Sequence, residues 1–211
     1  MSKQTFNWEK FNETPVVGIL RGFTMAEILE IIPIYKKSGF YTVEITMNSP
    51  NAEASISKLR EEFPEINVGA GTVCNMDDLH RALEAGSQFI VTPIIDEAVI
   101  AYCVQNNIPV FPGAYTPTEI YKAWSLGANA VKVFPATQLG IRYIKDILGP
   151  LNTIKLLPTG GVSKDNIASF FEAGCVGAGM GGSLFDSKLI KAKDYDGLAK
   201  HFDEVKRLSS S

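Results

Sequence analysis

Metal chemistry has almost nothing to work with in this chain. Its two histidines, His80 and His201, each sit in a charged, helical stretch and read as surface residues, so no metal site is expected. The three cysteines, Cys74, Cys103 and Cys175, are odd in number, scattered, and form no CxxC pair. That pattern argues against a disulfide framework and points to structural thiols in a reducing cytoplasm. No apolar run approaches the ~18 residues that a membrane span needs. Residues 1–13 are polar and lack the apolar centre of a signal peptide. The net charge of -3 offers no basic excess for nucleic acid or an anionic membrane. No GxGxxG follows the first strand-like run, which argues against a doubly wound dinucleotide fold.

What is present is a sustained alternation. A short amphipathic lead-in helix is expected at 7–13. Strand-like apolar runs follow at 16–20, 42–47, 67–72, 89–93, 109–114, 130–136, 154–160 and 176–181. Between them lie stretches of helical period at 25–38, 52–63, 76–85, 96–106, 118–126, 141–148 and 164–173, with a last helix at about 194–208. Gly39, Gly86, Gly127, Gly149 and Gly174 stand where helices should close. Strands alternating with helices at a spacing of about 20–25 residues imply parallel pairing through right-handed crossovers. The simplest closure is a (β/α)8 TIM barrel spanning 1–211 as a single compact domain. No linker interrupts the 211 residues, and the 209–211 tail is expected to be disordered.

In such a barrel, chemistry belongs at the C-terminal strand ends. Two charged residues stand out there. Lys132 lies inside Ala130-Val131-Lys132-Val133-Phe134, and Glu44 inside Thr42-Val43-Glu44-Ile45-Thr46. Strand alternation turns Val131, Val133, Val43 and Ile45 outward, so Lys132 and Glu44 share the interior. One reading is a buried structural ion pair. The other is a reactive amine. A desolvated lysine loses its proton, attacks a carbonyl and forms a Schiff base, and a neighbouring carboxylate moves protons. Lys155 competes for the nucleophile's role, but it opens its strand at the opposite end.

The last strand ends are rich in glycine: Gly160-Gly161, and Gly181-Gly182-Ser183. These are either tight turns or a phosphate cradle of backbone N–H groups. Arg21 follows the first strand and is a candidate carboxylate clamp, aided by Thr72; a rim salt bridge is its alternative.

The segments Val43-Glu44-Ile45-Thr46, Gly69-Ala70-Gly71-Thr72-Val73, Val91-Thr92-Pro93, Phe111-Pro112-Gly113, Val131-Lys132-Val133-Phe134-Pro135-Ala136, Pro158-Thr159-Gly160-Gly161-Val162 and Gly181-Gly182-Ser183 run through nearly the whole chain. Together they resemble the class I 2-keto-3-deoxy-6-phosphogluconate (KDPG) aldolases and the related 4-hydroxy-2-oxoglutarate (KHG) aldolases. The resemblance implies a homotrimeric (β/α)8 barrel, and Schiff-base chemistry in a cytoplasmic enzyme of this kind calls for no metal or other cofactor. Pyruvate would be held as a Schiff base on Lys132, with Glu44 as proton shuttle. Thr72 and Pro93 match pyruvate-pocket positions, Phe134 the aromatic beside the lysine strand, and Gly160, Gly161, Gly182 and Ser183 the phosphate site. One position departs: Asn48 stands where many gluconate-type members carry arginine. The Asn48-Ser49-Pro50 stretch looks more like the branch acting on the C4 epimer, the phosphogalactonate. Two other readings stay open: a phosphosugar isomerase or epimerase using Glu44 as base, and a non-catalytic phospho-ligand sensor.

Overall fold

A computed structural model describes residues 5–209. In chain order the elements are α1 (Trp8–Glu13), β1 (Val16–Leu20), α2 (Met25–Lys37), β2 (Thr42–Thr46), α3 (Ala52–Glu62), β3 (Asn67–Gly71), α4 (Met76–Glu84), β4 (Ile90–Val91), α5 (Glu97–Gln105), β5 (Val110–Phe111) and β6 (Gly113–Ala114). They continue with α6 (Pro117–Ser125), β7 (Val131–Val133), α7 (Gly140–Leu148), β8 (Leu156–Pro158), α8 (Ile167–Glu172), β9 (Ala178–Met180), α9 (Ser187–Lys191) and α10 (Tyr195–Ser209). Ser209, expected to begin a disordered tail, is the buried end of α10. Residues 210 and 211 lie outside the described residues, as do residues 1–4 of the polar opening stretch.

The expected closed eight-stranded barrel does not form. The strands make two parallel sheets, one of order β5-β4-β3-β2-β1-β9 and one of order β6-β7-β8. The 109–114 run, read as one strand, is divided at Pro112. Proline has no N–H to extend a ladder, so β5 pairs with β4 while β6 pairs with β7. At the other seam Pro158 ends β8, and an isolated bridge, Thr159↔Gly179, spans toward β9. The inward faces of both sheets nevertheless look onto one interior. Val17, Glu44, Val91 and Phe111 from the larger sheet line the same cavity as Lys132 and Leu157 from the smaller.

Local chemistry sets the helix ends. Thr24 and Glu27 close a capping box on α2, and Thr116 and Glu119 close one on α6. Pro117 occupies the first turn of α6, where a missing N–H costs nothing, so this helix starts one residue before the expected 118. Gly86 and Gly174 follow α4 and α8 at φ +98° and +100°, which only glycine adopts freely. Gly149 differs: its φ of -55° continues the helical conformation of α7.

Two apolar layers result. Between sheets and helices lie Ile28, Ile31, Ile32, Tyr35, Val43, Ile56 and their neighbours. Inside the sheets lies a smaller cluster of Phe6, Phe11, Val17, Phe89, Val91, Phe111, Ala130 and Leu157. All five residues of β2 are buried, as a strand covered on both faces requires.

Candidate active site

Lys132 is the middle residue of β7, with Gly113 opposite it on β6 and Leu157 on β8. Glu44 is the middle residue of β2, between Ile19 on β1 and Gly69 on β3. Both side chains turn inward and line one cavity. Lys132 is 3% exposed and Glu44 1%. Among the described residues no salt bridge joins them. Glu44 Oε2 is buried without a hydrogen-bonding partner. The reading of this pair as a closed structural ion pair is therefore set aside. A buried, unpartnered carboxylate oxygen is costly to maintain, and such costs collect where function needs them.

The electrostatics agree with that geometry. Burial lowers the Lys132 pKa, and Arg21 lowers it further, while Glu44 and Cys74 oppose them. Burial raises the Glu44 pKa against the pull of Lys132 and Arg21. Desolvation thus favours the uncharged amine and the uncharged carboxyl.

Small residues make the room. A Cβ at Gly71 would overlap the Glu44 carboxylate, and one at Gly113 would overlap the Pro93 carbonyl. Pro93, half-buried after β4, thus abuts Gly113, the residue paired with Lys132. Phe134, half-buried after β7, places its ring centroid 4.8 Å from Lys132 Nζ.

Arg21 is exposed at the end of β1, and its Nη2 donates to Thr72 Oγ1 at 3.3 Å. Thr72 has φ +57°, a conformation that a β-branched residue resists. Strain of this kind is retained where the surroundings fix it, commonly at ligand sites. Ser49 Oγ accepts from Gly22 N at 2.9 Å and lies 2.7 Å from Thr46 Oγ1, tying the loops after β1 and β2 together. Asn48, beside it, is exposed in the turn.

The loops after β8 and β9 meet. Ser183 Oγ donates to Val162 O at 2.5 Å, joining the loops after β8 and β9. Gly181 O accepts from Leu184 N and Phe185 N, both at 2.9 Å, which bends the second loop back. Gly160 and Gly161 have φ +84° and +78°. Among the described residues, the N–H groups of Gly161, Gly182 and Ser183 donate no backbone hydrogen bond. Open space surrounds Gly182.

The remaining side chains divide between surface, loop and cavity. Lys155 is exposed and precedes β8, away from the cavity. His80 is exposed, but His201 is half-buried and its Nε2 lies 2.9 Å from Ser183 O, so it supports the loop after β9. Thr159 is the main omission: it lines the cavity, and its buried Oγ1 has no partner. Strand alternation from Leu157 would have placed it inward. Among the described residues no three His, Cys, Asp or Glu side chains gather into a metal-binding group. No described helix is long and apolar enough to cross a membrane.

The model of the family described as KDPG and KHG aldolase matches residues 8–201. The chain belongs to this aldolase family. It is 38% identical over 173 residues to the 2-dehydro-3-deoxy-6-phosphogalactonate aldolase of Escherichia coli (strain K12), covering 81% of this chain and 84% of that one. It is 33% identical over 199 residues to the 2-dehydro-3-deoxy-phosphogluconate aldolase of Haemophilus influenzae, covering 93% of each. Among solved structures, a KDPG aldolase from Legionella pneumophila, with pyruvate captured as a covalent carbinolamine intermediate, matches with a TM-score of 0.83. That pair is 25% identical, with 93% of this chain and 96% of the other covered. Family membership sets aside the isomerase and sensor readings and makes the chain a Schiff-base aldolase.

Proposed function

We propose that this aldolase reversibly cleaves a six-carbon 2-keto-3-deoxy-6-phospho sugar acid to pyruvate and D-glyceraldehyde 3-phosphate, with Lys132 as nucleophile. The observation that carries this is a buried lysine facing a buried, unpartnered carboxylate in one cavity. The neutral Lys132 amine adds to the C2 carbonyl to give a carbinolamine, whose hydroxyl takes the proton of the Glu44 carboxyl and leaves as water, giving an iminium beside the Glu44 carboxylate. The C4 hydroxyl then gives its proton to the Glu44 carboxylate as the C3–C4 bond breaks. The bond's electron pair moves toward the iminium nitrogen, leaving an enamine and free aldehyde. Glu44 returns the proton to C3, and water releases pyruvate and regenerates the amine.

Arg21 and Thr72 hold the C1 carboxylate, and Pro93 and Phe134 wall the pyruvate end. The free N–H groups of Gly161, Gly182 and Ser183 receive the phosphate, with Gly160 and Gly181 shaping the turns. Thr159 supplies a hydroxyl partner for a hydroxyl of the substrate. Relatives of both epimer types support activity on the phosphogluconate and the phosphogalactonate compounds, and the family description supports 4-hydroxy-2-oxoglutarate as a further substrate. The resemblance also supports a homotrimer, consistent with the exposed Ile94, Tyr115 and Tyr121. Three free cysteines support work in the cytoplasm.

The test is pyruvate release from each C4 epimer and from 4-hydroxy-2-oxoglutarate. The expected result is turnover of at least one phosphorylated epimer, with a much higher KM when the phosphate is removed. Absence of pyruvate from every substrate would overturn the proposal.

A further inference from the structure

The cavity that holds Lys132 and Glu44 has a floor, and the floor has a foundation. Val17, Val91, Phe111 and Leu157 line the cavity and also belong to the inner aromatic cluster. Beneath them lie Phe6 and Phe11, from the lead-in segment before β1. Phe11 stacks on Phe111 at 6.2 Å with an interplanar angle of 25°. Phe6 meets Phe89 edge-on at 5.3 Å and Phe111 at 6.4 Å. Both lead-in rings are buried, and Trp8 covers Phe6 from outside at 4.6 Å. One layer of side chains therefore separates the reactive lysine from this segment.

The segment is held by polar contacts made for it. Asn7 N donates to Asn67 Oδ1 at 2.7 Å, and Asn67 Nδ2 returns a bond to Asn7 O at 2.9 Å. Gln88 Nε2 donates to Thr5 O at 3.0 Å, and Lys10 Nζ to Glu65 O at 2.6 Å. Asn67 is a buried polar residue that the cleavage steps do not use. Its amide fixes α1 across the N-terminal ends of β2 and β3 instead.

We infer that Phe6 and Phe11 are positioning residues for the aldolase reaction: they keep water from the underside of the cavity and so shield the Lys132 amine from solvent on that side. An ammonium regains stability wherever water or a polar group can approach it. Thinning this aromatic layer brings water within one side chain of Nζ from below. The amine then keeps its proton to a higher pH. This inference rests on Lys132 being the imine-forming residue.

The experiment follows pyruvate imine formation, trapped with borohydride, against pH in the parent, Phe11→Ala, Phe11→Leu and Phe6→Ala, with thermal unfolding alongside. The expected result is an acid-side midpoint moved up by about one pH unit in Phe11→Ala and by a smaller, still resolvable amount in Phe11→Leu. Folded variants with lower melting temperatures but the parent's midpoint would overturn the inference and leave the rings a purely structural role. If Phe11→Ala fails to fold, Phe11→Leu and Phe6→Leu are expected to show a smaller shift of the same sign. Parent midpoints in both would overturn it equally. Peptide mass spectrometry of the trapped parent separates the two claims: an adduct away from Lys132 overturns the site assignment, and the inference with it.

Discussion

Gly71 lies against the Glu44 carboxylate so closely that a Cβ at position 71 would overlap it. Glu44 is walled in and cannot swing into solvent, so Gly71→Ala must displace the carboxylate or the β3 backbone. The expected outcome is a folded protein with kcat reduced about 10- to 100-fold, since small misplacements near reacting atoms are costly. Steady-state kinetics beside a melting curve check this; unchanged kcat would show that the Glu44 position is not critical.

Lys132→Met should abolish turnover and stabilise the protein at neutral pH. Burial lowers the Lys132 pKa in the folded state, while the unfolded lysine titrates near ~10.4. Between those values the unfolded chain binds the extra proton, so the parent gains stability as pH rises. The advantage of Lys132→Met is therefore expected to shrink toward pH ~10. Denaturant melts at several pH values test it, and an advantage constant with pH would contradict the account.

Glu44→Gln should keep the fold and lose about 10²–10⁴-fold in turnover, the usual contribution of a proton-transfer group. Its pH dependence has the opposite sign. Burial raises the folded-state Glu44 pKa, so the folded protein binds the extra proton above the ordinary carboxylate range. Parent stability then falls as pH climbs through that window, and Glu44→Gln is expected to lack this decline. Melting curves from pH ~4 upward provide the comparison.

Thr159→Val keeps the side chain's shape and removes a buried hydroxyl that has no partner within the protein. Stability should hold or rise. Cleavage of the phosphorylated substrates should fall about 10- to 100-fold if the hydroxyl meets the substrate, the usual value of a lost polar contact. Pyruvate imine formation should be unaffected. A variant with full activity on both epimers would remove Thr159 from the site.

The central pair was legible because a strand has a period of two: one charged residue among outward-facing valines must face inward. Both Lys132 and Glu44 do so. The sheet architecture was less legible. A repeating strand–helix pattern suggested uninterrupted closure, but Pro112 divides the fifth run into two strands that pair in opposite directions around the sheet. Thr159 was overlooked because a hydroxyl beside two glycines resembles turn chemistry; its isolation is visible only once Gly179 and Leu157 surround it. The five-residue α9 is too short to show a helical period. The lead-in helix was legible as an element, though not as the layer beneath the cavity, because that depends on Phe89, just before β4, and Phe111 in β5 meeting its rings.

The most direct test of the account is borohydride reduction in the presence of pyruvate, followed by peptide mass spectrometry. The expected result is a single pyruvate-derived adduct on the peptide containing Lys132. An adduct on Lys155, or none on folded protein, would contradict the assignment of Lys132 as the imine-forming residue.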